Sequence, residues 1–245
     1  MRRHEKGALS MSERKPLTIL GIGAHVGDVE LVAGGVLASH FLKGDRIATL
    51  ALTAGERGVP DGQDVNEYRE QKVREAHTFA GMLGGEARVF EIPDGEIPDD
   101  EAIRLRVCDV IREVKPNIII THPCNSMHKD HATTHRIVND ARFFAGLKAM
   151  EREHPAHFAG KLYYGENWED AVGYVPYVYV DFDQAAFDLW IEALSTHWFV
   201  TGSKSFNYMD YYKSLARVRG LEARKEYAET FMIPPETMRL RQSEL

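Results

Sequence analysis

Four short apolar runs, separated by stretches with helical spacing, most constrain how this 245-residue chain can fold. They are Leu17 to Gly23, Arg46 to Leu52, Ala87 to Ile92, and Asn117 to Thr121 with its Ile118-Ile119-Ile120 centre. Alternate side chains of a strand point to opposite faces of a sheet, so a wholly apolar strand needs cover on both. The intervening segments can supply it. Leu31 to Phe41 carries apolar residues at helical spacing, with Gly34-Gly35 near its start. Val65 to Leu83 places Val73, Ala76, Ala80 and Leu83 on one face and stops at Gly84-Gly85. Asp99 to Val114 aligns Ile103, Val107, Ile111 and Val114. Alternation of this kind predicts an α/β fold: a Rossmann-like, mostly parallel sheet with helices on both faces. Right-handed crossovers then place the loops that follow the strands along one edge, where open α/β sheets bind ligands.

Beyond this core the pattern is less regular. Lys161 to Gly165 and Tyr177 to Phe182 read as strands, and Gln184 to Phe199 as an amphipathic helix burying Phe187, Trp190, Ile191, Leu194 and Trp198. Trp168 and the aromatic segment Phe206 to Tyr212 suit either ordinary packing or the rim of a binding site. The polar start of the chain reads as a flexible tail over 1–15, followed by a single domain over 16–233 and a C-terminal tail over 234–245. Hydrophobic residues make up 44%, enough for a sizeable core. A net charge of -7 argues against nucleic acid or an anionic membrane as partner. Two cysteines, Cys108 and Cys124, make no disulfide framework, and nothing at the start suits a signal peptide or membrane span. The expectation is a soluble cytoplasmic protein.

The chemistry-bearing residues cluster in the loops that the topology gathers. His25 and Asp28 leave the end of the first strand, Thr53 to Gly58 follow the second, and His122 to His131 follow the fourth. Catalytic zinc takes three protein ligands and keeps a position for water. One histidine and one carboxylate from the first loop, with one histidine from the fourth, make such a set. Other constellations fall short. Gly21-Ile22-Gly23-Ala24-His25-Val26 lacks the third glycine of a dinucleotide fingerprint, and Thr53 stands where an acidic residue would close the second strand. His131 and His135 are four apart, but no glutamate follows His131 as a metalloprotease helix requires.

Three ordered motifs carry a family resemblance: Ala24-His25-x-x-Asp28-Val29-Glu30-Leu31, Thr53-x-Gly55-Glu56-x-Gly58, and His128-x-Asp130-His131. Together they resemble the PIG-L (LmbE-like) family of zinc-dependent N-deacetylases, and the likeness extends from about Pro16 to Ser203. The resemblance implies that His25, Asp28 and His131 hold the metal, Zn2+ or another divalent ion. It also implies that His128 polarises the substrate carbonyl and that Asp130 orients His128. His197 matches a late pocket histidine. The implied substrate is a small molecule, an N-acetylated sugar conjugate, and relatives of this kind often form homo-oligomers.

The chain departs from the family at the reacting centre. Where the family reads His-Pro-Asp-Asp, with the first Asp as general base, this chain reads His25-Val26-Gly27-Asp28. Glycine cannot take a proton, and a positioned base contributes about two to four powers of ten in rate. Three readings follow: a hydrolase whose base has moved to Glu30 or Glu56, a metal-dependent enzyme of different chemistry, or an inactive relative that binds a sugar or other metabolite through the metal site.

Overall fold

The computed structural model describes residues 14–238. Five strands run parallel: β1 (Thr18–His25), β2 (Arg46–Thr53), β3 (Glu86–Ile92), β4 (Ile118–Thr121) and β5 (Lys161–Gly165). Two more, β6 (Val178–Phe182) and β7 (Tyr227–Met232), extend the sheet beyond β5 in the order β3-β2-β1-β4-β5-β7-β6, with β7 antiparallel to both its neighbours. The expected mostly parallel α/β sheet is therefore present. β1 lies at the centre of the five parallel strands, pairing Ile19 with Ile47 on one side and Ile118 on the other.

The burial of β1 explains its composition. Ile19 packs into one core layer with Leu37, Phe79 and Trp190, while Leu20 and Ile22 pack into the opposite layer with Val107, Ile111 and Ile137. Successive residues are both sealed from water, which is why no polar alternation marks this strand. Helices α1 (Asp28–Val32), α2 (Gly34–Leu42), α3 (Val65–Met82), α4 (Glu101–Val114) and α5 (Lys129–Gly146) supply the crossovers. Asp64 and Asp100 cap α3 and α4 by accepting backbone N–H bonds. No helix of the described residues is long and apolar enough to cross a membrane.

Two segments differ from the sequence reading. The expected single helix from Leu31 begins earlier, at Asp28, and breaks at Ala33. Gly34 and Gly35 sit at the break because aromatic rings need the space: an added Cβ would lie 2.1 Å from Trp190 Nε1 and 2.3 Å from Phe182 Cζ respectively. Likewise the helix from Gln184 ends early, giving α6 (Gln184–Leu194) and a separate short α7 (Trp198–Gly202). Helix α8 (Tyr208–Glu222) and β7 have no counterpart in the sequence reading. β7 escaped because its buried stretch carries Glu229 and Thr230 rather than an apolar run.

These late elements complete the early ones. Trp190 Nε1 donates to the Glu30 carbonyl at 2.8 Å, and the Glu229 carboxylate accepts the Gly35 and Val36 N–H groups at 2.9 and 2.8 Å. Glu229 thus caps α2 from across the sheet, where that helix has no side-chain cap of its own. Glu229→Ala leaves two buried N–H groups unpaired and is expected to cost about 2–4 kcal/mol, measured as a lowered urea midpoint at unchanged slope.

Candidate metal centre and its cavity

The parallel pairing of β1 with β4 brings the start of α1 beside the start of α5. His25 ends β1, Asp28 opens α1, and His128 is the N-cap of α5, with Asp130 and His131 in its first turn. The His25 N–H donates to Asp28 Oδ2 at 2.7 Å, fixing the carboxylate over the strand end. From this oxygen His25 Nδ1 is 3.3 Å away and His131 Nε2 3.6 Å. Ligands around tetrahedral zinc are about 3.3 Å apart, from bonds of about 2.0–2.1 Å. Each expected histidine thus approaches Asp28 at close to coordination spacing. Among the described residues, the triplets whose ligand atoms all lie within 4.8 Å of one another are His25 with His128 and His131, Asp28 with His122 and His131, and His25 with Asp94 and Asp130.

The remaining nitrogens face carboxylates. His25 Nε2 lies 3.1 Å from Asp94 Oδ1 and 3.5 Å from Asp130 Oδ2, and His131 Nδ1 lies 2.9 Å from Asp170 Oδ1. A carboxylate on the far nitrogen is the usual means of orienting an imidazole toward a metal. His131 Nε2, like His25 Nε2, is buried without a hydrogen-bond partner among the described residues, which leaves its lone pair open to an ion. Burial lowers the His131 pKa to about 4, helped by the neighbouring charge of His122, so this ring is neutral and has a lone pair to give. His25 behaves oppositely. Burial disfavours its charge, but Asp28, Asp130 and Asp94 outweigh that and raise its pKa well above the usual value. The cluster favours positive charge at this point. The donor set of two imidazoles and one carboxylate fits zinc and tolerates other divalent ions.

One expected role differs. The Asp130 carboxylate does not orient His128: its Oδ2 accepts the Gly95 N–H at 2.8 Å and faces His25. His128 is held instead by the Asp130 backbone N–H, which donates to its Nδ1 at 3.2 Å. As the first turn of a helix directs its N–H groups back at the cap, the side chain of Asp130 is left to the β1 side. With Nδ1 accepting, the neutral His128 ring carries its proton on Nε2. Burial and the charge of His25 lower the His128 pKa, favouring that neutral donor form.

The other expected residues stand at a remove. Glu30 Oε2 accepts the Gly27 N–H at 3.2 Å, a helix-capping bond, and burial raises its pKa. Glu56 Oε1 accepts from Arg69 Nη1 at 3.1 Å and from the Asp94 N–H at 2.9 Å, bracing the loop after β2. His197 is fully buried against Phe79 and Phe199, off the cavity surface. None of the three lines the cavity of about 270 Å³ that opens over His25, Asp28 and His128. Trp168 and Tyr208 do line it, and Phe206 stacks on Trp168 at 4.6 Å, so the aromatic segments act as both rim and packing.

The sequence reading missed several residues that build the site. His122 bridges Asp28 and Asp170 at 3.1 Å on each nitrogen; burial opposes its charge, but the two carboxylates raise its pKa to about 9. Glu169 Oε2 lies 3.7 Å from His131 Nε2. Asp170 and Glu169 come from the loop after β5, where no motif marks them. Lys72 had a legible signal: it sits in the buried stripe of α3 with Ala76, Phe79 and Ala80.

Position 27 is shaped against the missing aspartate. Gly27 has φ of 108°, where L side chains are strained, and an added Cβ would lie 2.4 Å from Phe199 Cζ. Phe199 fills the volume that a side chain at 27 would use, and Lys72 Nζ stands 4.0 Å above its ring.

The sheet and site define a doubly wound α/β protein with a histidine and carboxylate cluster suited to a metal ion. The profile of the PIG-L family, described as GlcNAc-PI de-N-acetylase, matches residues 20–142, and the chain belongs to this family. It is 30% identical over 143 residues to a 4-oxalmesaconate hydratase of Pseudomonas putida, covering 54% of this chain and 55% of that protein. To a 1D-myo-inositol 2-acetamido-2-deoxy-alpha-D-glucopyranoside deacetylase of Thermomonospora curvata it is 29% identical over 175 residues, covering 59% of this chain and 58% of that one. The chain thus spans little more than half the length of either relative. A conserved protein of Thermus thermophilus has a similar structure, with a TM-score of 0.78 and 25% identity over 94% of this chain and 100% of that one.

Two outcomes test this geometry. Gly27→Asp is expected to lose about 2–5 kcal/mol of stability from strain and overpacking. In a urea denaturation cycle with Phe199→Ala, the double variant should be less destabilised than the sum of the singles. Asp170→Asn is expected to weaken metal affinity about 10–100-fold in a chelator competition, because it disturbs the partner of His131 Nδ1.

Proposed function

We propose that this protein is a metal-dependent hydrolase that removes an acetyl group from the nitrogen of a small, sugar-like molecule. The observation that carries the reading is the approach of His25 Nδ1 and His131 Nε2 to one oxygen of Asp28, each histidine facing a carboxylate with its other nitrogen. His25, Asp28 and His131 would hold a divalent ion, zinc by donor type, which would supply Lewis acidity and make water more acidic there. His128, neutral with its proton on Nε2, is placed on the cavity wall to donate to the substrate carbonyl oxygen as negative charge gathers there.

The proton acceptor in this reading is Glu169. Glu30 and Glu56 are committed to a helix start and a loop, whereas Glu169 lines the cavity beside His131. With no ion in the cluster, burial, reinforced by the charges of Asp28 and Asp170, raises its pKa to about 7, which marks it as the most basic carboxylate on the cavity wall. A second reading is addition of water to a carbon–carbon double bond conjugated to a carbonyl. It is favoured by Phe199 at the usual base position and by the likeness to a hydratase. That chemistry uses the same carbonyl polarisation and needs no leaving amine to be protonated.

Metal content of the purified protein, together with acetate release from a panel of N-acetylated sugars, separates these readings. The expected result is stoichiometric metal that is lost in His131→Ala, and acetate release abolished by chelation. Glu169→Gln should retain the metal while lowering kcat by about 10²–10⁴-fold. Turnover unaffected by metal removal would overturn the proposal. Hydration of unsaturated acids without acetate release would establish the second reading, and bound metal without either turnover would leave a binding protein.

A further inference from the structure

Lys72 is only 4% exposed, yet it lines the same cavity as His25, Asp28 and His128. Its Nζ donates to the Val26 carbonyl at 2.7 Å and stands over Phe199. An ammonium has three N–H donors, and this is the one hydrogen bond it makes among the described residues. No carboxylate oxygen of those residues lies within salt-bridge distance of it.

The carboxylates whose charge reaches Lys72 are engaged elsewhere. Glu75 Oε1 accepts from Gln71 Nε2 and the Trp198 N–H while its Oε2 lies 3.8 Å from His197 Nδ1, and Glu30 accepts from the Gly27 N–H. Asp94 accepts from the Arg57 N–H and faces His25, while Asp28 is bound into the histidine cluster. A carboxylate at position 27 would begin in the space now held by Phe199, directly under this ammonium. With Gly27 and Phe199 there instead, the ammonium has no carboxylate in direct contact among the described residues, only more distant ones. A buried unpaired charge is costly, and a carbonyl with an aromatic face offsets only part of that cost.

We propose that Lys72 is an anion-binding residue of the cavity and that the substrate carries a carboxylate group there. A carboxylate fits better than a phosphate, because Asp28, Asp94 and Glu169 on the same walls oppose a doubly charged group. This rests on the cavity being the substrate site, and it narrows the substrate class from neutral acetylated sugars to small acids, N-acylated or unsaturated.

Ligand-observed NMR titrations of the full-length protein, as purified, with N-acetylglycine and its neutral amide N-acetylglycinamide test this without requiring turnover. The acid is expected to bind at least tenfold tighter than the amide. That preference should vanish in Lys72→Met and survive in Lys72→Arg at matched metal content, so any carboxylate affinity of the metal cancels. Equal affinity for acid and amide in the unmodified protein, or an undiminished preference in folded Lys72→Met, overturns the proposal. The first of these needs no variant and decides the matter even if Lys72→Met fails to fold. A retained acid preference without acetate release would overturn the hydrolase reading and leave this one standing.

Discussion

The Asp28 carboxylate is the point on which the site depends. One oxygen accepts the His25 N–H and faces His25 Nδ1, His122 Nε2 and His131 Nε2, so three imidazoles from two loops are referred to a single atom. Although burial opposes ionisation, the surrounding His131, His25 and His122 imidazoles hold the Asp28 pKa well below the usual carboxylate value. A fixed negative charge in a nearly dry setting is costly unless cations or donors surround it. Here the surroundings are imidazoles, each in turn held by Asp94, Asp130 or Asp170. The result is a layered cluster in which every ring has one nitrogen turned toward Asp28. Such a cluster is preorganised for a cation.

Beside this cluster the wall is built on different terms. Gly27, Phe199 and Lys72 form a coupled set: the backbone at 27 excludes a side chain, the aromatic ring occupies the space, and the ammonium sits on the ring. The space that a side chain at position 27 would enter is occupied by Phe199 of α7, with Lys72 above the ring. Other walls of the cavity carry ionisable groups, with Glu169 on one loop and Lys72 on α3.

Residues late in the chain make this arrangement possible. Trp190 and Glu229 satisfy the backbone groups left by the break between α1 and α2, and the loop after β5 delivers Glu169 and Asp170 to His131. The early motifs thus place the ligands, while the later segments fix their orientation and close the cavity.

The sequence by itself determined the sheet of alternating strands and helices, because wholly apolar runs such as Ile118-Ile119-Ile120 can be stable only when covered on both faces. It also placed His25, Asp28 and His131 on one edge, since strand order and crossover hand leave those loops nowhere else to go. Contacts distant in sequence were decided by the tertiary structure alone. The Asp130 carboxylate turned to His25 rather than His128, Glu30 and Glu56 went to structural bonds, and Asp170 arrived from a loop without a motif. Local pattern encodes which face a residue occupies; which of several carboxylates meets a given imidazole depends on loop geometry and on which donors are already taken. Gly27 shows the same division: its identity is plain in the sequence, but only packing reveals that Phe199 stands in its place.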